Sequence, residues 1–249
     1  MVHDLLSADK IAALCAIPPS LITVFDSLPS TNTYLAALAR EGASAGRVIL
    51  AETQTAGRGR LGRSFFSPRG SGIYLSILFR PKTLNAGRLT TLAAVVVASA
   101  IERVCDIKVG IKWVNDILFD GKKLCGILAE GADRDFAVLG IGINVTKSAF
   151  PAELLGIATS LEEASGKIID RNRLVAEILK GFENVDLEGY SHMDEYRRRS
   201  LTLGKTVTVL GSGETVHILS IEDDGTLLAL DENQKTRRIS SGEVSVRNI

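Results

Sequence analysis

The sequence predicts an α+β protein: a short helical segment over residues 1–22, a mixed sheet with packed helices over residues 23–200, and a small β-barrel over residues 201–249. Three observations carry this expectation. Leu89, Leu92, Ala93, Val96, Ala100 and Ile101 fall at helical spacing between Arg88 and Val104, which makes one long helix able to cover a face of a sheet. Ile73, Leu75, Ile77 and Phe79 alternate as a half-buried strand does. After Gly204 the pattern changes to short strands punctuated by Gly211-Ser212-Gly213, Asp224-Gly225 and Asp231 to Asn233, the spacing of a small barrel.

The remaining elements follow in order. Ser7 is placed to cap a first short helix, which Pro18-Pro19 stops. Ser30 or Thr31 caps a second helix through Leu35, Leu38 and Ala39 that ends near Gly42, and Val48 to Glu52 reads as a strand. The segment Ile111 to Val145 reads as three strands, with Asp120-Gly121 as the hairpin turn between the first two and Asp133 to Asp135 in the next turn. A helical region from about Arg171 to Tyr196 is broken near Gly189.

Composition narrows the classes of function. The 249 residues carry 29 basic and 29 acidic side chains, so no net field draws the chain to nucleic acid or an anionic membrane surface, and any anion site has to be local. Cys15, Cys105 and Cys125 lack metal-ligand spacing and the even count of a disulfide framework, and His3, His192 and His217 are scattered; no metal ligand set is expected. The longest apolar run, Leu92 to Ile101, falls short of the roughly 20 residues that span a bilayer, and Asp4 and Asp9 are foreign to a signal peptide. A cytoplasmic location without membrane attachment is expected. Arg197-Arg198-Arg199 reads as a solvated helix end, where cations favour the macrodipole, rather than as a nucleic-acid patch.

The loop Gly57-Arg58-Gly59-Arg60-Leu61-Gly62-Arg63-Ser64 fits G-x-G-x-x-G formally and misses a phosphate loop only by Arg63. Both of those motifs need a helix directly after the glycines, whereas Pro68, Gly70 and Gly72 lead into a strand, so hydride-transfer and phosphate-loop readings fail on context. What remains is a flexible loop with three closely spaced guanidinium groups, which repel one another unless anions or acidic partners offset them.

Gln54-Thr55-Ala56 followed by this loop resembles the signature of biotin protein ligases, and other motifs follow in that family's order. These are Ser30-Thr31-Asn32 upstream, then Phe66-Ser67-Pro68, Lys112-Trp113-Val114-Asn115-Asp116, Lys123-Leu124-Cys125-Gly126-Ile127-Leu128 and Gly140-Ile141-Gly142-Ile143-Asn144. The C-terminal stretch with Gly242-Glu243 is similar to the family's small barrel. Val114 replaces a proline common in the lysine-tryptophan motif, and Phe65 stands where some members carry tryptophan; neither change removes a charged or hydrogen-bonding group.

The resemblance implies two half-reactions: biotin and ATP, with magnesium, form biotinyl-adenylate, and a lysine of a carboxylase's biotin carboxyl carrier domain then takes the biotin. Bringing two anions together makes cations obligatory. By resemblance Lys123, Arg60, Asp116 and Lys112 carry the chemistry, and Ser30, Thr31, Asn32, Gln54, Gly57, Arg58, Gly59, Arg60, Arg63, Phe65, Lys123 and Asn144 bind the ligands. For Ser30 and Thr31 helix capping stands beside ligand binding, since a cap uses one oxygen only. For Lys112, Asp116 and Lys123 the alternative is a surface ion pair at a hairpin mouth. Trp113 reads as core rather than ligand platform, and Asn144 serves either strand-end hydrogen bonding or chemistry. A lipoate or octanoate ligase of related fold, a biotin-sensing repressor and a nucleotide switch are the rival readings; too few residues precede the catalytic region for a DNA-binding domain, so sequence-specific DNA binding is not expected. A homodimer formed through an exposed strand edge is a further expectation.

Overall fold

A computed structural model describes residues 5–80, 86–131, 135–147, 150–183 and 185–240, and the backbone of 243–246. Of the expected features, Asp133 and Gly242 lie outside the described residues. Ser7 accepts a bond from the Lys10 amide and opens helix α1 (Ala8–Leu14). Strand β1 (Ile22–Leu28), which periodicity did not reveal, leads to α2 (Thr31–Arg40), and β2 (Val48–Gln54) returns parallel to β1. Then come β3 (Gly72–Phe79), the long helix α3 (Ala86–Cys105), β4 (Gly110–Lys112), β5 (Asp116–Phe119), β6 (Lys122–Glu130) and β7 (Ala137–Asn144). Ile111 to Val145 therefore holds four strands rather than three: the Trp113–Asn115 turn separates the first two, and Asp120-Gly121, both at positive φ, joins the second to the third.

These strands form one sheet in the order β1-β2-β3-β7-β6-β5-β4. Only β1 and β2 are parallel, so the sheet is mixed as expected. The alternation along β3 assigns its two faces. Ile73, Leu75, Ile77 and Phe79 join the main core with α3, whereas Leu78 joins Leu35 and Ala39 of α2 in a smaller core. Tyr74 and Ser76 share the α2 face, and this face carries the site.

After β7 come α4 (Leu161–Ser165), α5 (Arg171–Glu183) and α6 (Met193–Arg199), so the expected helical region is two helices separated around Gly189. Strands β8 (Thr206–Leu210), β9 (Thr215–Ile221), β10 (Leu227–Asp231), β11 (Thr236–Ile239) and β12 (Glu243–Val246) make a second, antiparallel sheet in the order β11-β10-β9-β8-β12. Closing it into a barrel would require β11 to bond β12, and no such pair occurs among the described residues, so the C-terminal unit is a five-stranded antiparallel sheet. Its inner residues Val207, Val216, Ile218 and Leu227 belong to the main core. Trp113 joins the two sheets, its indole N–H donating 2.7 Å to the Gly225 carbonyl from a site 3% exposed. That makes it core. No helix among the described residues is long and apolar enough to cross a membrane.

Candidate active site

A pocket opens on the α2 face over β6 and β7, and its floor is glycine. Gly126 and Gly142 are register partners, and Gly140 lies two residues earlier in β7 on the same face. A Cβ on Gly142 would lie 2.7 Å from the Phe65 ring, one on Gly140 would collide with the Asn32 amide, and one on Gly126 would lie 3.1 Å from Lys123 Nζ. Three missing side chains thus admit those of Phe65, Asn32 and Lys123. Phe65 forms a wall, its ring meeting Tyr74 edge to face at 6.4 Å. Tyr74 donates to the Pro68 carbonyl at 2.8 Å, and burial pushes its phenol up to about 12, so it is a neutral donor at any ordinary pH.

Part of the pocket lining is a cradle of hydroxyls and amides. Ser30 caps α2 through its Oγ, at 3.4 Å from the Thr33 amide, and thereby sets Thr31 and Asn32 on the first turn facing β3. Both the amide and the hydroxyl of Thr31 donate to Gln54 Oε1, at 2.9 and 3.1 Å, and Gln54 Nε2 donates to Ser67 Oγ at 3.0 Å. Buried Ser76 lies 2.8 Å from Thr31 Oγ1 and 2.6 Å from Asn32 Oδ1, with one proton to share between them. Hydroxyls and amides held by one another in this way are preorganised for a ligand that offers donors and acceptors but no charge.

Another part of the lining is cationic. The arginine loop folds back on itself: the Phe65 amide donates to the Gly57 carbonyl at 2.9 Å and the Gly59 amide to the Arg63 carbonyl at 2.7 Å. Leu61 at the tip sits in the left-handed region at φ 54 while 70% exposed, a conformation that costs a residue with a Cβ about 1 kcal/mol. Arg58 Nη2 lies 2.8 Å from Glu130 Oε1, and Arg60 Nη1 donates to Asn115 Oδ1 at 3.2 Å. Asn115 is itself fixed by donating to the Ile127 carbonyl at 2.9 Å. Lys123 Nζ stands 2.7 Å from Asp116 Oδ1, both side chains a quarter to a third exposed. That oxygen is shielded from water and receives no bond of good angle, so the ion pair alone compensates it.

Of the residues expected at the site, Ser30, Thr31, Asn32, Gln54, Arg58, Gly59, Arg60, Arg63, Phe65, Asp116 and Lys123 line this one pocket. Gly57, Lys112 and Asn144 do not. Gly57 is the root of the loop, where a Cβ would stand 2.5 Å from the Phe65 carbonyl oxygen. Lys112 is the register partner of Asp116 on β4, beyond the lining. Asn144 bonds the carbonyls of Lys123 and Thr159, at 3.4 and 3.2 Å, which is strand-end bonding. Sequence reasoning did not single out Ser76 or Glu130, and it quoted Asn115, Gly126, Gly140 and Gly142 within motifs without giving them a role. Glycine at alternate positions 140 and 142 was a legible signal for the floor; no pattern marked Glu130. Among the described residues no cluster of three or more His, Cys, Asp or Glu could hold a metal ion.

A glycine-floored pocket lined by a cationic loop and by a cradle of hydroxyls and amides suits a ligand with an uncharged polar head and an anionic group. Residues 24–145 match the Biotin/lipoate A/B protein ligase family, and residues 202–247 match the Biotin protein ligase C terminal domain. The chain is 37% identical over 236 residues to the bifunctional ligase/repressor BirA of Bacillus subtilis, covering 89% of this chain and 72% of that one. It is also 37% identical to the biotin ligase of acetyl-CoA carboxylase from Mycobacterium tuberculosis, over 86% of this chain and 85% of that one. A solved biotin protein ligase of Aquifex aeolicus, in complex with biotin and ATP, superposes with a TM-score of 0.78 at 33% identity, covering 91% of this chain and 98% of that one. The chain belongs to the biotin protein ligase family.

Proposed function

We propose that this chain activates biotin with ATP and transfers it to a lysine of a biotin carboxyl carrier domain. The observation that carries this reading is one pocket whose lining joins the hydroxyl and amide groups of Thr31 and Gln54 with the cations Arg60 and Lys123 over a glycine floor. The ureido ring of biotin, with two donors and one acceptor, matches the hydroxyl and amide end; the apolar tail of lipoate or octanoate would leave those groups unpaired at about 1 to 3 kcal/mol each. In the first half-reaction a biotin carboxylate oxygen bonds the α-phosphorus of ATP, the bond to the bridging oxygen breaks, and pyrophosphate leaves. Arg60, Arg63 and Lys123 lower the repulsion between the two anions and offset the charge that develops on phosphorus. In the second, the neutral lysine amine attacks the activated carbonyl, AMP departs and the amine loses a proton.

Magnesium fits this donor set in one way. Asp116 is the pocket's one acidic side chain among the described residues, and its Oδ1 is already paired with Lys123 at 2.7 Å, so the ion would be carried in chiefly on phosphate oxygens, with at most this one carboxylate to meet it. Such an ion would offset charge on the departing pyrophosphate. The repressor half of the Bacillus relative's name stays with that protein; zero net charge supports the absence of specific DNA binding. Three free cysteines, all buried, support a reducing cytoplasm. For a homodimer, β1 is the open edge of the large sheet, because β4 is bridged by Ser200.

The test supplies radiolabelled biotin, ATP and a biotin carrier domain. Label on the carrier lysine, with biotin-dependent pyrophosphate exchange, is expected; transfer of octanoate in preference to biotin, or exchange with no transfer, would overturn the proposal.

A further inference from the structure

We propose that Glu130 is a positioning residue: it clamps Arg58 and so fixes the root of the arginine loop, leaving Arg60 as the guanidinium that turns to the ligand. The proposal rests on the pocket being an adenylation site. Glu130 ends β6 and, through the alternation Gly126, Leu128, Glu130, lies on the pocket face. Its two oxygens are divided between two elements. Oε2 accepts 2.9 Å from Asn32 Nδ2 on α2, and Oε1 lies 2.8 Å from Arg58 Nη2. Asn32 cannot turn away, because it also donates to the Leu128 carbonyl at 3.3 Å and meets Ser76 at 2.6 Å. The carboxylate is thus aimed by the scaffold before the loop reaches it.

Arg58 is the right point to hold. It bridges Ser64 across the loop, and the neighbouring Gly59 amide bonds the Arg63 carbonyl, so one anchor restrains both limbs. The partner of Arg60 is different in kind: Asn115 Oδ1, a neutral amide at 3.2 Å. A charged acceptor holds a guanidinium about twice as strongly as a neutral one. An incoming carboxylate or phosphate oxygen therefore displaces Asn115 from Arg60 more readily than it displaces Glu130 from Arg58. One arginine is a strut and the other a reporter of the anion. Because Arg58 is 53% and Glu130 27% exposed, water screens the pair, and its loss changes how often the loop opens rather than abolishing adenylation.

Glu130→Gln keeps an amide oxygen for Asn32 and removes the charge that holds Arg58. The experiment follows trypsin cleavage after Arg60 and Arg63 without ligand and with biotin and ATP, and the ratio of label on arbitrary lysines to label on the carrier. Glu130→Gln is expected to raise both by about three- to tenfold, with pyrophosphate exchange changed by less than about threefold. Arg58→Gln is expected to speed cleavage to a similar degree, and adding Glu130→Gln to it is expected to change little further, because both remove the same ion pair. Wild-type cleavage and escape in Glu130→Gln, or fully additive effects in the double variant, would overturn the clamp. Failure of the wild type to exchange pyrophosphate would instead overturn the ligase reading, and the ligand-free cleavage would still report on Glu130.

Discussion

At the scale of single residues, charge placement decides the chemistry. Lys123 and Asp116 reach each other at 2.7 Å across β5 and β6, with Lys123 lying over Gly126. Lys123→Ala is expected to slow adenylate formation by roughly 10² to 10³, the usual scale for one preorganised electrostatic group, while transfer from supplied biotinyl-adenylate slows less. Asp116→Ala should be milder, and the double variant far from additive if the pair acts as a unit. Pyrophosphate exchange reads the first step alone; exchange at the parent rate in Lys123→Ala would end the proposed role. Gly140 gives a steric counterpart. Its Ala variant would drive a methyl into Asn32, which ties α2 to Glu130, so biotin affinity is expected to fall about tenfold or more by calorimetry with the fold intact.

At the scale of elements, the site depends on how helices are pinned to the sheet. Arg171, at the start of α5, forms a buried ion pair with Glu52 at the end of β2, at 2.8 Å with side chains 3% and 4% exposed. Glu52 also accepts from the Leu6 amide at 2.7 Å, drawing in the segment before α1. Removing one partner of a buried pair strands the other's charge, so Arg171→Ala is expected to cost about 3 to 5 kcal/mol in urea unfolding. Arg171→Met combined with Glu52→Leu should recover part of this, since it removes both charges, while the Leu6 amide and the Gly72 carbonyl, to which Arg171 donates at 3.1 Å, lose their side-chain partners. A double variant no more stable than Arg171→Ala would show that the cost lies in packing rather than in charge.

At the scale of the whole molecule, His192 lies where α6 meets α3, its Nε2 2.9 Å from Thr91 Oγ1. Burial, with Arg88 and Arg197 nearby and Asp223 opposing them, lowers its value from 6.5 to about 4. The folded chain therefore refuses a proton that the unfolded chain accepts between these values. The stability from neutral His192 is complete above about pH 6.5 and drains away as pH falls toward 4. Carboxylates such as Glu195, held down to about 2 chiefly by Arg198, lose theirs only below 4.5. The melting temperature is accordingly expected to fall by several degrees from pH 7 to 5, and His192→Gln should flatten that slope. An unchanged slope in the variant would remove His192 from the account.

Periodicity, caps and motif order determined more of this protein than its length alone promised. The 3.6-residue pattern of α3, the alternation of β3, the Ser30 cap and the Asp120-Gly121 turn are local signals, since each is set by how neighbouring residues prefer to fold. The loop's cationic character was legible for the same reason: three guanidinium groups in six residues repel one another unless anions or acidic partners offset them. β1 escaped because its half-exposed residues, with Asp26 and Ser27 at the edge, carry no clean alternation. The barrel was over-read because strand spacing does not say whether the first and last strands meet. Only tertiary structure could decide which cation faces which acceptor. Glu130 meets Arg58 across 72 residues of sequence, and Asn144, set among the motif's glycines, turned to two carbonyls instead of the pocket. Such pairings depend on strand register and on which face each side chain takes, and both are settled when the sheet assembles, by the burial of apolar residues that are themselves far from the site.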